Sequence, residues 1–172
     1  MYLELIDQLK YIFYLLSILM CSALAYSCNI GPDFSDTPQI TFIGISKDTM
    51  DQGSLFNDSI DLVITFRDGD GNLGTGVDGI RENIIIRDSR TGNQLTPFKI
   101  PNLPAEGAGA GIEGTITMKI YSQCCIFPDG TPACLAPPEF PFNELTYDIQ
   151  MVDDGKDSSN VVTSTPVVLR CN

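Results

Sequence analysis

The chain has 172 residues, which is long enough for one ordinary domain, and its 43% apolar residues are sufficient for a hydrophobic core. Its formal net charge is −12, from 22 acidic and 10 basic residues. This balance argues against binding to nucleic acid or to anionic lipid head groups, since both need clustered Lys and Arg. The sequence contains no His and no Trp. Ser-His-Asp catalysis, Cys-His catalysis and the usual His-containing zinc sites are therefore excluded.

Residues 1–27 have the layout of a lipoprotein-type signal peptide. Lys10 precedes the apolar run YIFYLLSILMCSALA, which is shorter than the roughly 20 residues that span a bilayer as a helix. The segment AYSC then resembles a lipobox and makes Cys28 the predicted lipidated residue. Cleavage after Ala25 by ordinary signal peptidase and an uncleaved signal-anchor helix are the alternatives. Lipidation of Cys28 leaves an even number of other cysteines to pair, which favours the lipoprotein.

The remainder of the chain is predicted to be a flexible tether followed by a β-domain. Residues 28–38 are polar and carry Pro and Gly, as expected of a linker. Over residues 39–172, short β-branched or alternating runs separated by turn residues predict a single immunoglobulin-like antiparallel β-sandwich, with a jelly roll or small barrel as the alternative. The seven predicted strands are Gln39–Ile45, Ser59–Phe66, Asn83–Asp88, Gln94–Ile100, Ile112–Tyr121, Thr146–Val152 and Val161–Leu169.

Four cysteines of the β-domain are predicted to form two disulfides. Cys124, Cys125 and Cys134 lie in the Pro-rich loop after the fifth strand, and Cys171 follows the last strand. In an antiparallel sandwich these positions fall at the same end. One bridge is expected to close the small loop to Cys134 and the other to reach Cys171, but adjacent cysteines leave the choice between Cys124 and Cys125 open. The spacing does not fit a four-Cys zinc site.

Two acidic loops are predicted at the opposite end of the sandwich, where the tether enters. The segment DGDGN places oxygen ligands at alternate positions, with glycines that permit a tight turn, and DDGKD follows the sixth strand. We predict a shared Ca²⁺ site, although Asp-Gly pairs also form ordinary turns without a cation. The predicted ligands are Asp68, Asp70, Asn72, Asp153 and Asp157.

The lipobox-like Cys28 and the segments DSIDLVITFRDGDGNLG and LTYDIQMVDDGKDSSNVVTSTPVVL carry a family resemblance. Together they resemble the single-domain Ig-like β-sandwich lipoproteins of the Bacteroidota cell envelope, over nearly all of Gln39 to Leu169. The resemblance implies a small β-sandwich with an FxDxDGDxG-type loop, anchored by lipid in the envelope, and we expect the outer membrane. Asn72 replaces the usual third Asp, which weakens a cation site without abolishing it. The resemblance implies no activity.

We expect a non-catalytic envelope lipoprotein that acts as a binding or accessory module and is stabilised by Ca²⁺. Its expected contacts are the membrane, through the lipid anchor, and an envelope protein or glycan. Phe127, Phe140 and Phe142 are predicted to form an apolar contact surface near the cysteines. A structural subunit of an envelope assembly is an alternative. A glycoside hydrolase using two carboxylates is less favoured, because its candidates lie in no recognisable motif; they are Glu106, Glu113, Glu139 and Glu144.

Overall fold

The computed structural model describes residues 10–20, 34–74, 82–95, 98–100 and 111–171. The chain divides into two compact units, Met1–Pro32 and Asp33–Asn172. In the first unit, residues 10–20 form an α-helix. None of the described helical residues belongs to a helix that is long and apolar enough to cross a membrane. The predicted lipidation site at Cys28 lies outside the described residues.

The second unit is mostly β-structure, arranged in three sheets of three strands each. The sheets have the strand orders β1–β3–β5, β2–β9–β6 and β4–β7–β8. All pairings are antiparallel except that of β2 with β9, which is parallel. The predicted all-β class is therefore confirmed. The strands are β1 (Gln39–Ile45), β2 (Thr49–Asp51), β3 (Ser59–Asp68), β4 (Ile84–Asp88), β5 (Ile112–Tyr121), β6 (Phe142–Leu145), β7 (Tyr147–Met151), β8 (Val162–Thr163) and β9 (Val167–Arg170).

The described strands number nine, against about seven predicted. The bounds of β1 and β5 are those predicted, whereas β2 and β6 were not predicted. The predicted last strand, Val161–Leu169, is divided into β8 and β9 by a segment that contains Pro166, which has no N–H to donate to a ladder. In the described part of Gln94–Ile100, only Gln94 and Phe98 form β-bridges.

The second and third sheets adjoin each other along two nearly continuous extended segments. Only Thr146 separates β6 from β7, and three residues separate β8 from β9. At this junction the Ser164 main-chain N–H donates to the Tyr147 carbonyl at 2.9 Å. The Tyr147 N–H in turn donates to the Ser164 hydroxyl oxygen at 2.9 Å. The strand pair β6–β9 therefore continues almost directly into the pair β7–β8, because residues 142–151 and 162–170 form both pairs.

The core is one cluster of buried residues to which all three sheets contribute, largely through alternate residues of their strands. In β3 every second residue from Ile60 to Phe66 is buried, and in β7 the same holds from Tyr147 to Met151. Side chains alternate between the two faces of a strand, so these residues share one face. Each fully buried side chain of this kind contributes about 1.5–3 kcal/mol.

The Pro-rich loop after β5 is held to the domain by two disulfides. Cys124 pairs with Cys134 and Cys125 with Cys171, which agrees with the predicted arrangement and resolves the choice that adjacent cysteines left open. The guanidinium of Arg90, at the β4 turn, also donates to the Cys124 carbonyl at 3.2 Å. A loop with little regular structure is thereby fixed covalently and by a charged donor.

Candidate cation site

Two buried carboxylates continue the inward faces of β3 and β7. Asp68 follows Phe66 by two residues, and Asp153 follows Met151 by two, so strand alternation directs both toward the core. The structure agrees: Asp68 is 0% exposed and Asp153 is 1% exposed. A carboxylate in this position loses its hydration, so it must find hydrogen bonds, a proton or a cation in compensation.

The acidic loop after β3 folds tightly around the Asp68 side chain. Gly71 adopts a φ of 66°, which turns the chain so that the Asn72 main-chain N–H points back at the loop. That N–H donates to Asp68 Oδ2 at 3.1 Å and to Asp70 Oδ1 at 3.3 Å. Leu73, the next residue, is fully buried and anchors the loop in the core. The loop therefore presents two carboxylates from a fixed backbone.

The acidic loop after β7 is a tight turn that closes on Asp153. The Asp153 N–H donates to the Asp157 carbonyl at 3.0 Å, and the Asp157 N–H donates to Asp153 Oδ1 at 2.7 Å. Gly155 lies where the two loops approach each other. A Cβ at Gly155 would lie 3.2 Å from Asp153 Oδ1 and 3.3 Å from Asn72 Nδ2. The two acidic loops therefore come together, as predicted.

Three carboxylates meet between the loops. One oxygen from each of Asp68, Asp70 and Asp153 lies within 4.8 Å of the other two. Asp68 Oδ1 and Asp153 Oδ2 are buried and have no hydrogen-bond partner among the described residues. Burial, together with the neighbouring carboxylates of Asp70 and Asp153, raises the pKa of Asp68 to about 6. At neutral pH the cluster therefore concentrates negative charge in a poorly hydrated place.

This arrangement has the dimensions and chemistry of a cation site. Oxygens that each lie about 2.4 Å from one Ca²⁺ are at most about 4.8 Å apart, which accommodates the observed cluster. The donors are carboxylates, the ligands preferred by hard cations such as Ca²⁺ and Mg²⁺. A bound cation would supply partners for the two buried oxygens and cancel the repulsion among the carboxylates.

Of the five predicted ligands, Asp68, Asp70 and Asp153 form this cluster, Asn72 lies beside it, and Asp157 lies outside it. Asn72 belongs to the same loop, and its side-chain Nδ2 donates to Asp70 Oδ2 at 2.6 Å. Its place beside Gly155 keeps it next to the cluster. Asp157 is exposed and is not a member of the group of close carboxylates. Its contribution to the loop is made through its main chain.

Sequence reasoning missed a contact between the acidic loop and the predicted tether. The Gly69 N–H donates to the Ser35 carbonyl at 2.8 Å. Phe34 lies beneath the guanidinium of Arg67, whose Cζ is 5.4 Å from the ring centroid. Residues 34–35 therefore pack against the domain, although the tether was predicted to be flexible over residues 28–38. The D-G-D pattern predicts a turn or a cation loop and carries no signal of this contact.

The predicted aromatic surface is reduced by burial. Phe127 is only 6% exposed, and Phe140 is partly buried against the core, with its ring centroid 5.8 Å from that of Phe127. Both rings therefore pack against the core, which leaves little of their surface open for a partner. Phe142 remains 61% exposed and is the member of the predicted set that is open to solvent.

The glutamates proposed for glycoside hydrolysis do not join the carboxylate cluster. Glu106 lies outside the described residues. Glu139 and Glu144 are exposed, and Glu113 forms an exposed ion pair with Arg67 at 3.2 Å. These surroundings do not resemble the enclosed pair of carboxylates that glycoside hydrolysis uses.

Comparison with protein-family models, with curated proteins and with solved structures found no match to this chain.

Proposed function

We propose that this chain is a non-catalytic, lipid-anchored envelope protein whose β-domain binds a structural divalent cation, with Ca²⁺ as the expected occupant. The observation that carries the proposal is the carboxylate cluster of Asp68, Asp70 and Asp153, in which two buried oxygens have no partner among the described residues. Buried charges without a counterion are costly, so a domain that retains them at neutral pH gains stability from a cation.

An immunoglobulin-like arrangement of the sheets is part of this proposal. One layer would be the sheet β1–β3–β5, and the other would combine the adjoining sheets that contain β4, β7 and β8, and β2, β9 and β6. With β6–β7 and β8–β9 each counted as one strand, this division would correspond to strands A, B and E of the ABED sheet and to the CFG sheet of immunoglobulin domains. In this arrangement the cation would join the β3 end of one layer to the β7 end of the other.

Two disulfides support the proposed location outside the cytosol. Such bonds persist in oxidising compartments and are rare in reducing ones. The signal-peptide pattern ending at Cys28 adds the lipid anchor, and the family resemblance favours the outer membrane of the envelope. The proposed partner is an envelope protein or a glycan, bound by the loops of an anchored accessory module. The alternative function, a structural subunit of an envelope assembly, would have the same anchor and the same fold.

The test is direct measurement of cation binding by the full chain. The protein, in detergent and stripped with a chelator, is titrated calorimetrically with CaCl₂ and separately with MgCl₂. We expect one Ca²⁺ per chain, and we expect Asp68→Asn to abolish the binding. Asp61→Asn is the matched control, because Asp61 lies on the same strand but is half-exposed and paired with Lys119 at 3.3 Å.

The outcomes separate the possible occupants. Tighter binding of Mg²⁺ would retain a hard-cation site and change its occupant. Heat changes that are the same in the native protein and in Asp68→Asn would mean that the cluster binds no cation, and the proposal would fail.

A further inference from the structure

The segment that leads into the β-domain is held by the residues on either side of Asp68. Gly69 donates its N–H to the Ser35 carbonyl at 2.8 Å. Arg67 places its guanidinium over the Phe34 ring, with 5.4 Å from Cζ to the centroid. A buried member of the carboxylate cluster thus lies between two residues that both contact the incoming chain.

The contact at Gly69 depends on the absence of a side chain. A Cβ at this position would overlap the main chain of Phe34 and Ser35. Gly69 is not among the glycines with positive φ, so steric contact, and not backbone conformation, accounts for glycine at this position. The Gly69 main chain therefore packs closely against the incoming segment, and in the sequence it joins Asp68 to Asp70.

We propose that cation binding and the docking of residues 34–35 are coupled. This inference rests on the proposed function, because it concerns the regulation of the same site. An ion that fixes Asp68 and Asp70 also fixes the peptide groups of Gly69 between them, and so strengthens the docking of Ser35 and Phe34. Linkage requires the converse: docking of this segment strengthens cation binding by the same factor.

The coupling has a consequence for an anchored protein. Phe34 lies six positions after Cys28 in the sequence, so the docked segment belongs to the predicted tether. With the cation bound, the tether would be shorter and the domain would have fewer accessible orientations at the membrane. With the cation removed, residues 34–35 would be released and the tether would be longer.

The experiment compares Ca²⁺ affinity and amide exchange in the full chain, in detergent. Calorimetric titrations are run on the native protein, Phe34→Ala, Gly69→Ala and the control Gly44→Ala, whose Cβ would meet nothing within 4 Å. We expect about tenfold weaker Ca²⁺ binding in the first two variants and native affinity in the control, within the usual range of coupling between sites. In the native protein we expect Ca²⁺ to slow the hydrogen exchange of the Gly69 amide about tenfold, measured by NMR.

Phe34→Ala is the deciding variant, because it leaves the acidic loop unchanged and is informative even if Gly69→Ala does not fold. If the native protein binds Ca²⁺ but Phe34→Ala binds it equally well, and Gly69 exchange does not respond to Ca²⁺, the coupling is disproved while the proposed cation site stands. If the native protein binds no Ca²⁺, both proposals fail.

Discussion

Replacement of Asp68 by Asn is predicted to change the stability of the protein in opposite directions with and without a cation. In the cation-free protein, burial and two neighbouring carboxylates disfavour the ionised form of Asp68. Its pKa is raised from 3.8 to about 6. At about 1.4 kcal/mol for each pH unit of difference, ionised Asp68 lowers the free energy of unfolding by about 3 kcal/mol at neutral pH.

The sign of the pH dependence follows from where the proton is held more tightly. Between pH 3.8 and about 6, the folded protein retains the Asp68 proton that the unfolded chain has lost. The free energy of unfolding of the cation-free protein therefore falls as the pH rises across this range. Above it, the decrease reaches its full value of about 3 kcal/mol. Asn carries no ionisable proton, so the variant lacks this contribution to the pH dependence. In EDTA at pH 7, Asp68→Asn should exceed the native protein in stability by up to about 3 kcal/mol.

Saturating Ca²⁺ should reverse the order. At a thousand times its dissociation constant, a ligand that binds only the folded state adds about 4.1 kcal/mol, which exceeds the deficit of about 3 kcal/mol, and Asp68→Asn should not receive this gain. The assay is urea unfolding followed by far-UV circular dichroism at several pH values between 4 and 7, in EDTA and in CaCl₂. Asp61→Asn serves as the control for loss of one negative charge. If Asp68→Asn is less stable than the native protein by the same amount in both media, Asp68 acts only as a hydrogen-bond acceptor and this reasoning is refuted.

Three further predictions concern the disulfides, a buried ion pair and the anchor. Cys171→Ala opens the bridge that spans 46 positions and should cost about 4 kcal/mol, whereas Cys134→Ala opens the one that spans 10 and should cost about 3 kcal/mol; a reversed order in urea unfolding would contradict the loop-entropy argument. Arg90→Ala leaves a buried carboxylate without its partner at 2.6 Å and should cost about 3–5 kcal/mol, while Arg67→Ala removes an exposed pair and should cost under about 1 kcal/mol; equal losses in the same assay would count against the difference in burial. Cys28→Ala should abolish membrane retention or stall processing in cell fractionation, and normal maturation with retention would mean that the signal peptide is misassigned.

Strand alternation made much of the fold predictable. The bounds of β1 and β5 follow directly from regular apolar alternation in long strands. By contrast, β2 has three residues and pairs in parallel with a distant strand, and β6 begins within a Pro-rich stretch. Neither has a periodicity long enough to recognise. Pairings of this kind depend on which segments tertiary packing brings together, and local sequence does not carry that information.

The candidate site was predictable to the same extent and for the same reason. Asp68 and Asp153 continue the inward parity of β3 and β7, so their burial follows from the sequence once the strands are recognised. The place of Asp157 depends on a turn that uses its main chain and leaves its side chain exposed. The burial of Phe127 and the docking of Phe34 depend on contacts between segments distant in sequence, which no local pattern specifies.

The adjacent half-cystines Cys124 and Cys125 impose an order on oxidative maturation. Cys134 is synthesised before Cys171, so it is the first of the two native partners that either neighbour can meet. A non-native Cys125–Cys134 bond closes a loop of nearly the same length as the native Cys124–Cys134 bond, and so has almost the same entropic cost. Correct pairing then requires thiol–disulfide exchange after Cys171 becomes available. The yield of native protein should therefore depend on disulfide-isomerase capacity in the compartment where the chain matures.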